Sequence, residues 1–113
     1  MYIGLISDTH GILSDGFRDF LRPVDVIWHA GDFGGTVAFA DEIAAFKPLV
    51  GVHGNCDGTD IRYEYPYHQC FECEGKTVLM VHIGGYPVRI GIRNLIRIKL
   101  LYVKVDIMPA VIL

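Results

Sequence analysis

Apolar and polar positions divide the first half of the chain into two kinds of segment. Short continuous apolar runs predict strands, at residues 2–7, 24–29 and 49–52. Between these runs the apolar residues recur at helical intervals, which predicts helices at residues 13–21 and 36–46. Thr36 is the expected N-cap of the second helix, and Pro48 is a stop signal after it. Alternating strands and helices are typical of a parallel sheet with helical crossovers.

The pattern changes in the second half. Residues 65–73 and 77–83 are rich in strand-forming residues, and Glu74-Gly75-Lys76 between them predicts a hairpin turn. Residues 88–113 carry five basic residues and one acid, whereas residues 1–87 carry twelve acids and five bases. We therefore predict one α/β domain over residues 1–113, with a parallel-strand core plus a β-hairpin.

Composition narrows the classes of partner. A net charge of −3 and a pI near 5.9 predict no binding to nucleic-acid backbones or anionic membranes. The start shows no secretion signal, and no apolar stretch is long enough for a membrane span, so we expect a cytoplasmic protein. The chain has an odd number of cysteines, at Cys56, Cys70 and Cys73, which predicts reduced thiols rather than a zinc clip. The apolar content of 51 % predicts a homo-oligomer, such as a dimer, that buries surface, although a deep core explains it almost as well.

Four apolar runs each lead into side chains that can bind metal. In chain order these are Asp8 and His10, His29 and Asp32, His53 and Asn55, and His82. Ligands of open α/β sheets bind at the carboxyl ends of the strands, so these residues converge if the four strands are neighbours. Asp8 and His10 are two positions apart and would project to the same side of an extended segment.

The chemistry of these side chains favours catalytic divalent ions. Carboxylate, imidazole and amide ligands without thiolate suit Mn, Fe, Zn or similar ions. Asp32, on the middle strand, is the carboxylate best placed to bridge two ions about 3.5 to 4 Å apart. Nearby glycines at 31, 34, 35 and 54 would let the backbone approach ions or phosphate closely. We interpret His29 as structural and His53 as structural or substrate-facing.

Four short blocks carry a resemblance to a known family. They are Asp8-Thr9-His10-Gly11, Gly31-Asp32, Gly54-Asn55-Cys56-Asp57 and Val81-His82. In this order and spacing they resemble the calcineurin-like metallophosphoesterases over residues 1–87, and most closely the small bacterial and archaeal phosphodiesterases with a Gly-Asn-Cys-Asp block.

The resemblance implies a truncated form of the family's α/β sandwich, a function and a ligand set. Two divalent ions would be bound, one by Asp8 and His10, the other by Asn55 and His82, with Asp32 as the bridge. A metal-bridging hydroxide would hydrolyse a phosphomonoester or phosphodiester of a small molecule. The implied catalytic residues are Asp32, Asn55, Cys56 and Asp57. Many family members have histidine where Cys56 stands, and a neutral thiol is a poorer proton donor than imidazolium.

The sequence departs from the family after His82. The family's Gly-His-x-His block does not follow, and no histidine occurs beyond this position. We expect that the family's C-terminal third is missing through truncation or a reading-frame change, and that metal binding and turnover are therefore weak. The alternative is a non-catalytic protein-interaction module on the same fold. Arg89 and Arg93 are expected on a solvated face, with phosphate binding as the lesser alternative.

Overall fold

The computed structural model describes residues 2–73, 75–82 and 95–97. Its helices and strands follow the predicted order, with one helix and one strand in addition. They are β1 (Ile3–Ile6), α1 (Asp15–Leu21), β2 (Val26–His29), α2 (Val37–Phe46), β3 (Leu49–Gly51), α3 (Thr59–Glu64), β4 (His68–Cys73), β5 (Lys76–Val81) and β6 (Leu95–Arg97). The prediction for Arg89 and Arg93, and most of the basic segment, lies outside the described residues.

The first three strands form a parallel sheet in the order β1-β2-β3. Ile3 pairs with Val26, and Ile27 pairs with Leu49. A helix connects each strand to the next, as parallel pairing requires. The predicted parallel core is therefore confirmed, with β2 and the following Asp32 in the middle.

The second sheet has the order β4-β5-β6. β4 pairs with β5 in antiparallel fashion, with Cys70 opposite Leu79, which confirms the predicted hairpin. β6 runs parallel to β5. The strand before His82 thus belongs to a different sheet from the other three, so the condition of four neighbouring strands is not met.

The two faces of the parallel sheet have different neighbours because successive side chains of a strand point to opposite sides. Ile3 and Leu5 pack with Val78 and Met80 of the second sheet. Ile27 on the other face belongs to the core cluster under the helices. The molecule thus has a layer of helices and two sheets, an α/β sandwich of the predicted class.

This layering brings the end of β5 to the carboxyl edge of the parallel sheet. Backbone hydrogen bonds join the loops there, with Asp8 N donating to Gly31 O at 3.0 Å and Thr9 N donating to Asp32 O at 3.2 Å. None of the helices in the described part of the chain could cross a membrane.

Candidate metal centre

Three of the five predicted metal ligands come together at this edge. Asp8, Asp32 and His82 each offer a ligand atom within 4.8 Å of the other two. The two carboxylates are half-buried, and the imidazole is buried with 3 % exposure. The loops after β1 and β2 supply the carboxylates, and the second sheet supplies the histidine.

The orientation of His82 is set by the backbone of the β2 loop. Its Nδ1 lies 2.8 Å from the carbonyl oxygen of Ala30, which can only accept, so Nδ1 is the donor. Nε2 then faces Asp32 Oδ2 at 3.1 Å. Two acceptor atoms at this distance need a cation between them, either a proton or a metal ion. A histidine whose other nitrogen donates to a carbonyl is the usual arrangement of a metal ligand.

The backbone at the predicted ligands is unusual. Asp8, His10 and Asp32 have φ values of 54°, 58° and 58°, in the left-handed region that non-glycine residues rarely adopt. The prediction of an extended segment from Asp8 to His10 is therefore wrong, and the argument that an extended backbone points both side chains to the same side does not apply. His10 is exposed and lies outside the group of three. Such conformations cost on the order of 1–3 kcal/mol each and concentrate at functional sites.

Asp57 connects the loop after β2 to the loop after β3 through hydrogen bonds. Its carboxylate accepts backbone hydrogen bonds from Gly54 N at 2.8 Å, Asp32 N at 2.9 Å and Gly34 N at 3.3 Å. The side chain is only 5 % exposed, so these charge-assisted bonds are largely shielded from water. The structure thus gives Asp57 a positioning role, and its direct part in catalysis stays a prediction.

Asp32 itself is fixed from two sides. Its Oδ1 accepts a hydrogen bond from Cys56 N at 2.9 Å, and its Oδ2 faces His82. The exposed Cys56 contributes its backbone here, and its Sγ accepts from Asn55 Nδ2 at 3.5 Å. The Gly-Asn-Cys-Asp block therefore orients the middle carboxylate through main-chain contacts.

Two glycines allow the ligands to approach the loops. A Cβ on Gly54 would lie 2.0 Å from Asp32 Oδ1, and a Cβ on Gly31 would lie 2.7 Å from His82 Nδ1. Gly31 also has φ of +102°, which favours glycine. Sequence reasoning placed these glycines against ions or phosphate, whereas the structure places them against the ligand side chains.

His29 is structural, as interpreted from the sequence. Its Nδ1 accepts from Gly31 N at 3.1 Å, so Nε2 carries the proton and donates to Thr9 Oγ1 at 3.0 Å. The ring stacks on Phe33 with centroids 3.8 Å apart. Burial, then the charge of His82, lowers the pKa of His29 to about 3, and Asp32 opposes this shift. The residue is thus held neutral.

A pocket of about 150 Å³ opens beside the metal group. Its lining consists of His53, Gly54, Asn55, Arg62, Tyr67 and His82. Asn55 thus shares a cavity with His82 and His53. Arg62 was missed because α3 was not predicted. Its only sequence signal is its position five residues after Asp57.

The donor set fits a divalent ion. Two carboxylates and an imidazole suit Mn, Fe or Zn, and no cysteine joins the group within the described residues. Cys70 and Cys73 lie on β4 and are not members of this group. The number and identity of the ions stay predictions.

Known proteins share this architecture. The model of the calcineurin-like phosphoesterase superfamily domain matches residues 1–99. No curated protein matches the chain. Vps29 from Chaetomium thermophilum is similar in structure, with 19 % identity, a TM-score of 0.56, and coverage of 68 % of this chain and 43 % of Vps29.

Two bacterial structures are similar at a lower level. A conserved Streptococcus pneumoniae TIGR4 protein, described as a predicted phosphoesterase, has 20 % identity and a TM-score of 0.49, covering 78 % of this chain and 48 % of its own. An Aquifex aeolicus protein of unknown function has 22 % identity and a TM-score of 0.48, and the match covers 78 % of this chain and 64 % of the Aquifex chain. The chain thus spans between 43 % and 64 % of these three structures. Because the family model matches most of its length, the chain belongs to the calcineurin-like phosphoesterase superfamily.

Proposed function

We propose that this chain is a metal-dependent phosphoesterase that hydrolyses phosphoesters of small molecules. The observation that carries the proposal is the convergence of Asp8, Asp32 and His82 within 4.8 Å. Family membership supports the reaction class. Divalent ions polarise phosphoryl oxygens and lower the pKa of water, which is the chemistry that this reaction needs.

The proposed ligand set extends the observed group. Asp8 and His10 would hold one ion and Asn55 and His82 the other, with Asp32 shared. The contacts of Asp32 support its central place, since Cys56 N fixes one carboxylate oxygen while the other faces His82. His10 would need to turn from its exposed position to join.

The remaining residues of the block serve the reaction differently. Asp57 holds the loops that carry Asp32 and Asn55. Cys56 stands where a proton donor for the departing alcohol would be useful, but a thiol donates poorly near neutral pH. The reaction therefore suits a substrate with a good leaving group, or one whose leaving oxygen is protonated by water.

The wider setting is part of the same proposal. We propose manganese as the working metal, a cytoplasmic location, and a homo-oligomeric state, with neither nucleic acid nor membrane as partner. The net charge of −3 supports the exclusion of nucleic-acid backbones. Sedimentation of the purified protein measures the oligomeric state directly.

The test combines metal binding with turnover. The protein is titrated with Mn²⁺ by calorimetry and assayed with bis(p-nitrophenyl) phosphate. Asp32→Asn should lower Mn²⁺ affinity and turnover by about 100-fold, because a ligand that touches the ion contributes at least as much as its supporting groups. Asp25→Asn is the matched control, because Asp25 directly precedes β2 at the opposite edge of the sheet, where its Oδ2 accepts a hydrogen bond from Tyr2 N.

The two functions under consideration give different results. Binding of Mn²⁺ and turnover that both depend on Asp32 support the phosphoesterase. A well-folded protein that neither binds Mn²⁺ nor hydrolyses the ester contradicts it and favours the non-catalytic interaction module. Turnover that survives Asp32→Asn would point to a contaminating enzyme.

A further inference from the structure

The pocket beside the metal group has a wall that the proposed reaction does not use. We define this pocket wall as His53, Arg62 and Tyr67. It shares the cavity of about 150 Å³ with Asn55 and His82, two proposed ligands. A substrate whose phosphorus lies at the metal group would therefore have these three side chains close by.

Arg62 brings a fixed positive charge to this pocket. Its Nε donates to Asp57 O at 2.8 Å, and its Nη2 donates to Asn55 O at 3.2 Å and Gly54 O at 3.4 Å. All three acceptors are neutral carbonyl oxygens. No salt bridge joins Arg62 to an acid in the part of the chain that the structure describes. The position of this cation is thus set by the loop that carries Asn55.

His53 and Tyr67 complete the wall. His53 Nδ1 donates to the carbonyl oxygen of Tyr65 at 2.8 Å, which fixes the ring. Its edge contact with Tyr67 has centroids 5.9 Å apart, and Tyr67 is 57 % exposed. The wall is therefore a surface of fixed side chains that carries a cation.

We propose that this pocket selects phosphomonoesters, and that Arg62 is the specificity-determining residue. The proposal rests on the proposed phosphoesterase function. A phosphomonoester carries close to two negative charges near pH 7, because its second pKa is about 6, and a phosphodiester carries one. A fixed cation attracts the additional charge and so favours the monoester. In the reaction, water forms the new P–O bond, the ester P–O bond breaks, and the alcohol leaves with a proton.

The test uses two substrates with the same leaving group, p-nitrophenyl phosphate and bis(p-nitrophenyl) phosphate. The unaltered protein should have the higher kcat/KM for the monoester. Arg62→Gln, which removes the charge, should lower kcat/KM for the monoester about tenfold more than for the diester, mainly through KM. Arg62→Lys keeps the charge and should retain most of the preference. Arg22→Gln is the control, because Arg22 pairs with Asp19 on α1 and does not line the pocket.

Arg62 also holds the Asn55 loop, and the substrate ratio separates the two roles. A loss of the loop contacts alone would lower kcat/KM equally for both substrates. It would not raise KM for the monoester more than for the diester. Equal losses in Arg62→Gln, or a preference of the unaltered protein for the diester, would overturn the proposal.

A binding measurement distinguishes failure of this proposal from failure of the phosphoesterase itself. In a buffer alkaline enough to remove its second proton, phenylphosphonate is a dianion that is not hydrolysed, and its monomethyl ester is a monoanion. Calorimetry on the Mn²⁺-loaded and the metal-free protein should show tighter binding of the dianion, about tenfold, that is lost in Arg62→Gln. This result without any turnover would sustain the pocket and refute the enzyme. Turnover with no preference between the two anions would sustain the enzyme and refute the pocket.

Discussion

The loops around the metal group and the pocket wall beside it both hold polar side chains through backbone groups, but they differ in how far water reaches those side chains. In the loops around the metal group, Asp57 and His29 are buried, and backbone groups supply most of their hydrogen bonds. In the wall, Arg62 and Tyr67 are exposed. The buried side chains fix the loops that carry the proposed metal ligands, and the wall contacts any ligand that enters the cavity.

This difference has an energetic consequence. A buried polar group that loses its partner costs much more than an exposed one, because water cannot replace the bond. Changes in the buried loops should therefore lower stability before they affect chemistry. Changes in the wall should alter ligand binding and lower the free energy of unfolding by less.

The largest effect is expected at Asp57. Asp57→Ala removes the acceptor of three backbone N–H groups, on Asp32, Gly34 and Gly54. The free energy of unfolding, measured with urea, should fall by about 3 kcal/mol, because each unsatisfied buried donor costs on the order of 1 kcal/mol or more. Asp57→Asn keeps one acceptor oxygen and should lose less.

Asp41→Ala is the control for this change, since Asp41 lies exposed on α2. Its unfolding curve should match that of the unaltered protein. If Asp57→Ala unfolds like the control but loses turnover, Asp57 acts in catalysis and the comparison of the two regions fails at its strongest point.

The next effect concerns the pH dependence of stability through His29. Its pKa is lowered to about 3 when folded, by burial and the charge of His82 against the opposing charge of Asp32, from about 6.5 when unfolded. The unfolded chain therefore binds one more proton between these values, so stability is present above pH 6.5 and is lost as the pH falls toward 3. The loss is about 1.4 kcal/mol per pH unit, or about 2 kcal/mol at pH 5.

Urea unfolding in metal-free buffer at pH 7 and pH 5 measures this loss. His29→Gln should be less stable than the unaltered protein at pH 7, and its further loss on acidification should be about 2 kcal/mol smaller. His68→Gln, at an exposed position of β4, should keep the full pH dependence. An unchanged slope in His29→Gln would show that other groups carry the acid sensitivity.

Local patterns predicted most of the fold. The apolar runs gave β1, β2 and β3, and the helical spacing gave α1 and α2, because each pattern reflects which faces of an element are buried. The pairing of β5 was not predictable in this way. The apolar pattern of β5 is the same in the sequence whether the strand joins the first sheet or the second.

The site was predictable as a set of residues but not as a geometry. The blocks around Asp8, Asp32 and His82 indicated the group that the structure brings together. The left-handed backbone at His10 and the cavity position of Arg62 depend on contacts between distant loops. No local periodicity records such contacts, so both were found only in the structure.

The smallest effect tests how α2 begins, where local chemistry again gave an incomplete answer. Thr36 is the N-cap residue as predicted, yet its side chain makes no capping hydrogen bond. Instead Asp60 of α3 accepts from Val37 N at 2.8 Å, and this bond, followed by that from Ile61 N, lowers the pKa of Asp60. Asp60→Ala should therefore lower Tm by a few degrees in a circular-dichroism melt, whereas Thr36→Ala should leave it unchanged. The reverse order would show that α2 begins on its own sequence and does not depend on the helix that sequence reasoning missed.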